Sequence, residues 1–272
     1  MSINQPSSFF VDNLMVNIYP TRQLLGQAAA KAVATKILSL LAVQKTVRMI
    51  FAAAPSQNEF LEELCRMEGI DWSRVVAFHM DDYLGLPDEA GQRFSSYLKE
   101  HLFNRVHPGQ VNYLVGPNSI LIKSTSPDSI SKEIAKVCDK YSQMLKEQPT
   151  DIVCMGIGEN GHVAFNDPPV ADFNDLQLVK LVKLEEICRL QQVHDGCFAK
   201  LEEVPTHALT LTIPALMAAH SIYCMVPGPT KREAVKRALE GAITTECPAT
   251  ILRKQTNATL YLDSASATGL HF

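Results

Sequence analysis

Apolar residues along this chain follow two alternating rhythms. Behind Thr21, which can cap a helix, Leu25, Ala29, Val33, Ile37, Leu40 and Leu41 recur at a spacing near 3.6 and predict a helix. Next, 46–53 (Thr46-Val-Arg-Met-Ile-Phe-Ala-Ala) is a strand candidate. Residues 56–67 read as a helix again. Residues 75–80 hold no formal charge and predict a buried strand. Residues 94–103 and 126–147 read as helices, 151–156 as a third strand, and 209–213 as a weaker one. The segment 221–226 predicts a strand, 231–240 a helix closed by Gly241, and 258–262 a last strand.

Strands and helices therefore alternate. A strand such as Ile152-Val153-Cys154-Met155 is apolar on both faces, which predicts an α/β fold whose parallel sheet is covered by helices on both sides. Ligands of such sheets sit outside the carboxyl ends of the strands. The residues that follow each strand are the place to look for chemistry.

Composition adds bounds. At 272 residues, with 46% hydrophobic and 20% charged residues, the chain reads as one domain over 1–272, with 1–12 as a loose arm. A net charge of −4 with scattered basic residues predicts no nucleic-acid partner. Seven Cys without a C-x-x-C pair, several of them in apolar runs, predict reduced core thiols. The start MSINQPSSFF lacks the basic and apolar regions of a signal peptide, and no apolar run reaches the ~18 residues of a membrane span. The expectation is a cytoplasmic protein with no membrane partner.

Three post-strand segments carry candidate chemistry. Asp81-Asp82-Tyr83 follows the strand 75–80. Adjacent carboxylates at a strand end raise one another's pKa when buried, toward a general base; a solvated acidic loop is the plainer explanation. After 151–156, Gly156, Gly158 and Gly161 satisfy G-x-G-x-x-G. A dinucleotide site needs a helix opening at the last Gly, and Pro168 and Pro169 forbid a long one. What remains is a loop presenting Asn160, His162, Asn166 and Asp167. A lone His is usually structural, but this one has a carboxylate nearby and a ring suited to proton shuttling at neutral pH. Third, Ser56 with Glu59 and Thr230 with Glu233 form capping-box patterns, the second with Lys231 in its first turn. A cation there opposes the helix dipole unless an anion binds, although an exposed surface lysine is the simpler reading. Metal-ligand spacing, a Walker loop and a G-x-S-x-G elbow are all lacking.

These segments resemble the glucosamine-6-phosphate deaminase/isomerase family. Phe78-His-Met-Asp81-Asp82-Tyr83-Leu-Gly85-Leu-Pro87 is similar to its M/L-D-E-Y-x-G-L motif. Gly156-Ile-Gly158-Glu-Asn160-Gly161-His162-Val-Ala-Phe165-Asn166-Asp167-Pro168 is similar to its G-I/V-G-x-N/D-G-H-I-G/A-F-N-E-P motif. Gly228-x-x-Lys231 and Cys247-Pro-Ala-Thr250-Ile-Leu252 resemble two further segments. The likeness runs from the first helix to Asp263. It implies a Rossmann-like, mostly parallel sheet and a cofactor-free, metal-free conversion of an amino-sugar phosphate to a ketose phosphate and ammonia. On that resemblance, Asp81 moves the C2/C1 proton, His162 serves ring opening, Asn160 and Asp167 orient it, and Lys231 pairs with the phosphate. Ser56, Asp82, Tyr83, Gly158 and Gly161 complete the substrate contacts. The partner implied is a small sugar phosphate, and the family's varied assemblies allow a homo-oligomer.

The chain departs from the pattern at several points. Asp167 and Asp82 replace Glu, and the shorter Asp167 is expected to lengthen its contact to His162. The T/S-G-G/S-T-P phosphate loop becomes Ala52-Ala53-Ala54-Pro55-Ser56, and the family's phosphate Arg has only Arg189 as a stand-in. Conserved proton-transfer parts with altered phosphate parts point to a changed substrate. The alternatives are a hydrolase like 6-phosphogluconolactonase, which Asp81-Asp82-Tyr83 disfavours, or a non-catalytic sugar-phosphate-binding protein or sensor.

Overall fold

The computed structural model describes residues 5–115 and 127–271. Eleven strands and eight α-helices are described. They run β1 (Ser7–Val11), β2 (Leu14–Tyr19), α1 (Arg22–Leu41), β3 (Val47–Phe51), α2 (Asn58–Arg66), β4 (Val75–His79), β5 (Asp81–Tyr83), α3 (Phe94–Leu98), α4 (Asn104–Val106) and β6 (Gln110–Asn112). The second half holds α5 (Pro127–Lys146), β7 (Ile152–Met155), β8 (Val179–Lys183), α6 (Glu186–His194), β9 (His207–Leu211), α7 (Ile213–Met217), β10 (Ser221–Val226), α8 (Arg232–Glu240) and β11 (Ala258–Asp263).

Eight strands form one sheet in the order β1-β2-β11-β10-β7-β3-β4-β6. All pairs are parallel except β1 with β2. Alternate residues of β3 feed two cores. Val47, Met49 and Phe51 join α1 and α2 on one face, while Ile50 joins residues of α5, α7 and α8 on the other. This is the predicted arrangement of helices on both sides of a parallel sheet. A smaller antiparallel sheet, β5-β9-β8, stands beyond the end of β4.

The reading of residues 1–12 as a loose arm is corrected from Ser7 onward. Ser7–Val11 pairs with β2 through five residue pairs as an antiparallel edge strand. A tight turn at Asp12, whose φ is +50°, closes that hairpin, and Arg253 pairs with the Asp12 carboxylate at 2.7 Å. The helix after Thr21 is as predicted, with the Thr21 hydroxyl accepting from the Leu24 N–H at 3.2 Å. By length and composition α1 could also cross a membrane, although it carries Lys31 and Lys36. Its apolar residues Leu25, Ala29, Val33 and Ile37 are instead buried against the sheet and α2. The predicted helix 94–103 contains a π-turn over Lys99–Phe103, and the predicted strand 209–213 is shifted to His207–Leu211 because Pro214 opens α7.

All seven cysteines are free, and Cys154, Cys188, Cys224 and Cys247 are buried.

Candidate active site

The ends of β3, β4, β7 and β10 converge on a cavity of about 480 Å³. Of the site residues named from the sequence, Asp81, His162, Lys231, Ser56 and Gly158 line it. Asn160 and Asp167 stand behind His162, while Asp82, Tyr83 and Gly161 do not face it.

Asp81 opens β5, where successive side chains point to opposite sides. Its carboxyl reaches the cavity wall, and burial, then the neighbouring Asp82, push its pKa well above the usual carboxylate range. Asp82 is turned away and fully buried. It accepts from the N–H groups of Tyr83 at 2.9 Å and Phe94 at 3.0 Å, and lies 3.7 Å from Nε of Arg93. Asp82 is therefore a structural anchor for the segment leading into α3, which corrects its assignment to substrate. Tyr83 packs against Phe94, Phe165 and Phe198 at centroid distances of 5.0–5.6 Å. Phe94 and Phe165 face the cavity and screen Tyr83 from it.

A residue that sequence reasoning left out holds Asp81 in place. His79 is fully buried, with Nδ1 2.9 Å from the carbonyl of Asp81 and Nε2 accepting from the Leu114 N–H at 2.9 Å. The Leu114 donor fixes the neutral tautomer with the proton on Nδ1, and burial lowers the ring's pKa.

The loop after β7 is shaped around His162. A Cβ on Gly158 would lie 2.1–2.4 Å from the imidazole ring, so only glycine lets the ring stand there. Gly161 has φ +91°, and a Cβ on it would meet Sγ of Cys247 at 2.5 Å, so its role is in the backbone turn and not in a substrate contact. Beyond the ring, Ala164 takes a left-handed φ of +48°. Asn166 clamps that turn by donating to the carbonyls of Val163 at 2.9 Å and Leu211 at 2.8 Å.

The imidazole's tautomer follows from its neighbours. Asn160 donates through Nδ2 to Asp167 at 3.0 Å and to Glu185 at 2.8 Å, so its Oδ1 faces the ring. His162 Nδ1 lies 2.8 Å from that Oδ1 and 3.0 Å from Asp167 Oδ1. Both are acceptors, so Nδ1 carries the proton and Nε2 is the basic nitrogen of a ring that lines the cavity. The expected lengthening of the Asp167 contact does not occur. Burial alone would raise the Asp167 carboxyl, but the adjoining His162 and the hydrogen bonds from His162, Asn160 and the Glu185 N–H hold it below the usual range.

Cys188 on α6 brings a thiol to the same cluster, where the ligating atoms of His162, Asp167 and Cys188 lie within 4.8 Å of one another. Two of those donors are already bonded to each other at 3.0 Å, and burial, then the nearby Asp167, keep the thiol protonated. That arrangement suits a proton relay better than a metal-binding set.

The anion end differs from the sequence expectation in detail. Neither capping box forms, because Pro55 and Pro229 each open a 3-10 turn and draw Ser56 and Thr230 inside it. Glu59 instead pairs with Arg22 at 2.6 Å. Lys231 is buried, at 4% exposure, and lines the cavity; its ammonium has no ion-pair or hydrogen-bond partner among the described residues. Burial lowers its pKa, and Asp195 and Glu159 pull the other way. Arg189 cannot serve an anion here. Its guanidinium donates to the carbonyls of Leu201 at 2.7 Å and Val204 at 2.8 Å and lies outside the cavity wall. Gln57, Gln191 and Gln192 line the cavity in its place. The glutamine pair of Leu190-Gln191-Gln192 is visible in the sequence, but only helix α6 brings it to the cavity.

Residues 20–261 match the family described as glucosamine-6-phosphate isomerases/6-phosphogluconolactonase. The chain belongs to this family. It is 32% identical over 198 residues to a glucosamine-6-phosphate deaminase of Bacillus cytotoxicus, covering 73% of this chain and 69% of that protein. It is 33% identical over 221 residues to one of Streptococcus suis, covering 80% and 86%. In structure it is similar to a monomeric glucosamine-6-phosphate deaminase, with TM-score 0.80 and 24% identity over 93% of this chain and 98% of that one. It is also similar to a 6-phosphogluconolactonase of Trypanosoma brucei, with TM-score 0.71 and 15% identity over 97% of this chain and 100% of that one. These two likenesses describe the shared fold.

Proposed function

We propose that the enzyme is an amino-sugar phosphate deaminase/isomerase: an aldose bearing a 2-amino group is converted, with one water, to a ketose phosphate and ammonia. The observation that carries this reading is the pairing, in one cavity, of a raised-pKa carboxyl on Asp81 with the Nε2 of a tautomer-locked His162. The curated relatives named glucosamine-6-phosphate deaminase support it.

His162 Nε2 takes the anomeric hydroxyl proton and returns it to the ring oxygen, opening the ring. Asn160 and Asp167 stabilise the imidazolium formed in between, Asp167 by its charge at 3.0 Å. Asp81 then removes the proton from C2 of the open-chain form, and the carboxylic acid so formed exchanges with solvent and protonates C1. The enolamine passes to a ketimine, which water hydrolyses to the ketose and ammonia. A carboxyl of raised pKa is a stronger base than an ordinary one, as a weakly acidic carbon proton requires. Lys231 holds the substrate's tail group, with Ser56 at the start of the α2 segment. The steps need only proton transfers and water, so no cofactor is invoked. Seven unpaired thiols fit a reducing compartment, and the cytoplasm is the location proposed.

Conversion of glucosamine 6-phosphate in D₂O tests the reading. Deuterium at C1 of the ketose, with ammonia released, is the expected result. Hydrolysis of 6-phosphogluconolactone with no isomerisation would overturn it in favour of the lactonase alternative.

A further inference from the structure

A second cavity of about 630 Å³ adjoins the one just described. The two share Ala53, Ala54, Phe94 and Gln192, so they meet at the loop that follows β3. That loop is the Ala52–Ser56 stretch, next to the tail-group end of the active cavity. The second cavity continues past it along Pro55, Tyr97 and Cys197. Tyr97 presents ring surface there, because its hydroxyl is already bonded to the Ala54 carbonyl at 2.8 Å and to Asn58 Oδ1 at 2.6 Å.

Charge at the tail-group end is sparse. Among the described residues, Lys231 is the only Lys or Arg lining either cavity. The carboxylates of Asp195 and Glu159 act on it electrostatically and offset part of its field. The other polar side chains at this end are neutral, the Ser56 hydroxyl and glutamine amides, and Pro55 removes one backbone N–H from the loop. A phosphate monoester carries ~1.5–2 negative charges at neutral pH. One partly compensated cation matches a single negative charge better than two.

We infer that the preferred substrate is an amino sugar whose tail is a singly charged phosphodiester, with the second, uncharged and flat ester group seated in the cavity between Phe94 and Tyr97. The inference rests on the assignment of the tail group to Lys231. Gln192, on the shared wall, is then a specificity-determining residue at the junction.

Binding measured by calorimetry separates this from the catalytic reading, because C1-reduced probes cannot react. The probes are 2-amino-2-deoxyglucitol carrying at O6 a phosphate, a sulfate or a phenyl phosphate diester. The diester is expected to bind about tenfold or more tighter than the phosphate, with the sulfate between them. Gln192→Trp at the junction and Gly91→Trp at the rim are each expected to erase the diester's advantage. A Cβ on Gly91 meets nothing within 4 Å, so that variant should fold. Phosphate binding as tightly as the diester, or an advantage unchanged in both variants, would overturn the inference. Sulfate equalling the diester would overturn the role given to the second cavity. Ammonia release from glucosamine 6-phosphate alongside any of these results would leave the deaminase reading standing.

Discussion

Gly158→Ala is the smallest change that should disable this site. The Gly158 φ lies outside the left-handed region, so alanine brings no backbone strain and the effect is steric. The added Cβ would stand 2.1 Å from the His162 ring where ordinary contact begins at 3.4 Å, so the ring or loop must give by about 1.3 Å. The ring cannot shift that far and keep both Nδ1 contacts, at 2.8 Å to Asn160 and 3.0 Å to Asp167. A displacement of ~1 Å at a reacting group costs about 10²-fold in rate. Relieving the overlap by moving the loop should cost about 1–3 kcal/mol of stability. Steady-state ammonia release should therefore show kcat reduced about 10²-fold, while circular dichroism stays native and the melting temperature drops modestly. A folded Gly158→Ala enzyme with kcat within about twofold of wild type would refute the tight fit of His162 and the role built on it.

Other outcomes follow from groups in the site and from groups packed behind it. The buried hydroxyl of Tyr83 has no hydrogen-bond partner among the described residues, so Tyr83→Phe should raise stability by about 1 kcal/mol in a denaturant melt and leave KM unchanged. Asp82→Asn removes the charge held beside Arg93 and should lower stability by about 3 kcal/mol in the same melt. Asp81 must be ionised to act as a base and its pKa is raised, so kcat/KM should fall as pH drops through a value above the ordinary carboxylate range. A pH–rate profile flat down to the usual carboxylate pKa would contradict that assignment.

The fold was largely legible because buried parallel strands are continuous apolar runs, and 75–80, 151–156 and 221–226 each became a central strand. What escaped was the small antiparallel sheet. Asp81-Asp82-Tyr83 reads as a loop after β4 because three polar-leaning residues carry no periodicity of their own. Only pairing with β9 makes them a strand. That same pairing separates the two carboxylates, one toward the cavity and one into the interior, and adjacency in sequence gives no sign of it. The capping patterns failed for a local reason. A proline directly before Ser56 or Thr230 starts the turn one residue earlier than a Ser or Thr cap would. The loop from Gly156 to Asp167 opens no helix, as Pro168 and Pro169 led one to expect. The tautomer of His162 became clear only with Asn160 and Asp167 in place around its Nδ1.

Ammonia release from glucosamine 6-phosphate by wild type and Asp81→Asn tests the central claim most directly. Asp81→Asn keeps the side chain's size and its place on β5 but cannot take the carbon proton. The account predicts release by the wild type and a loss of about 10³-fold or more in the folded variant. Equal rates in the two proteins would contradict it, as would a wild type that releases no ammonia.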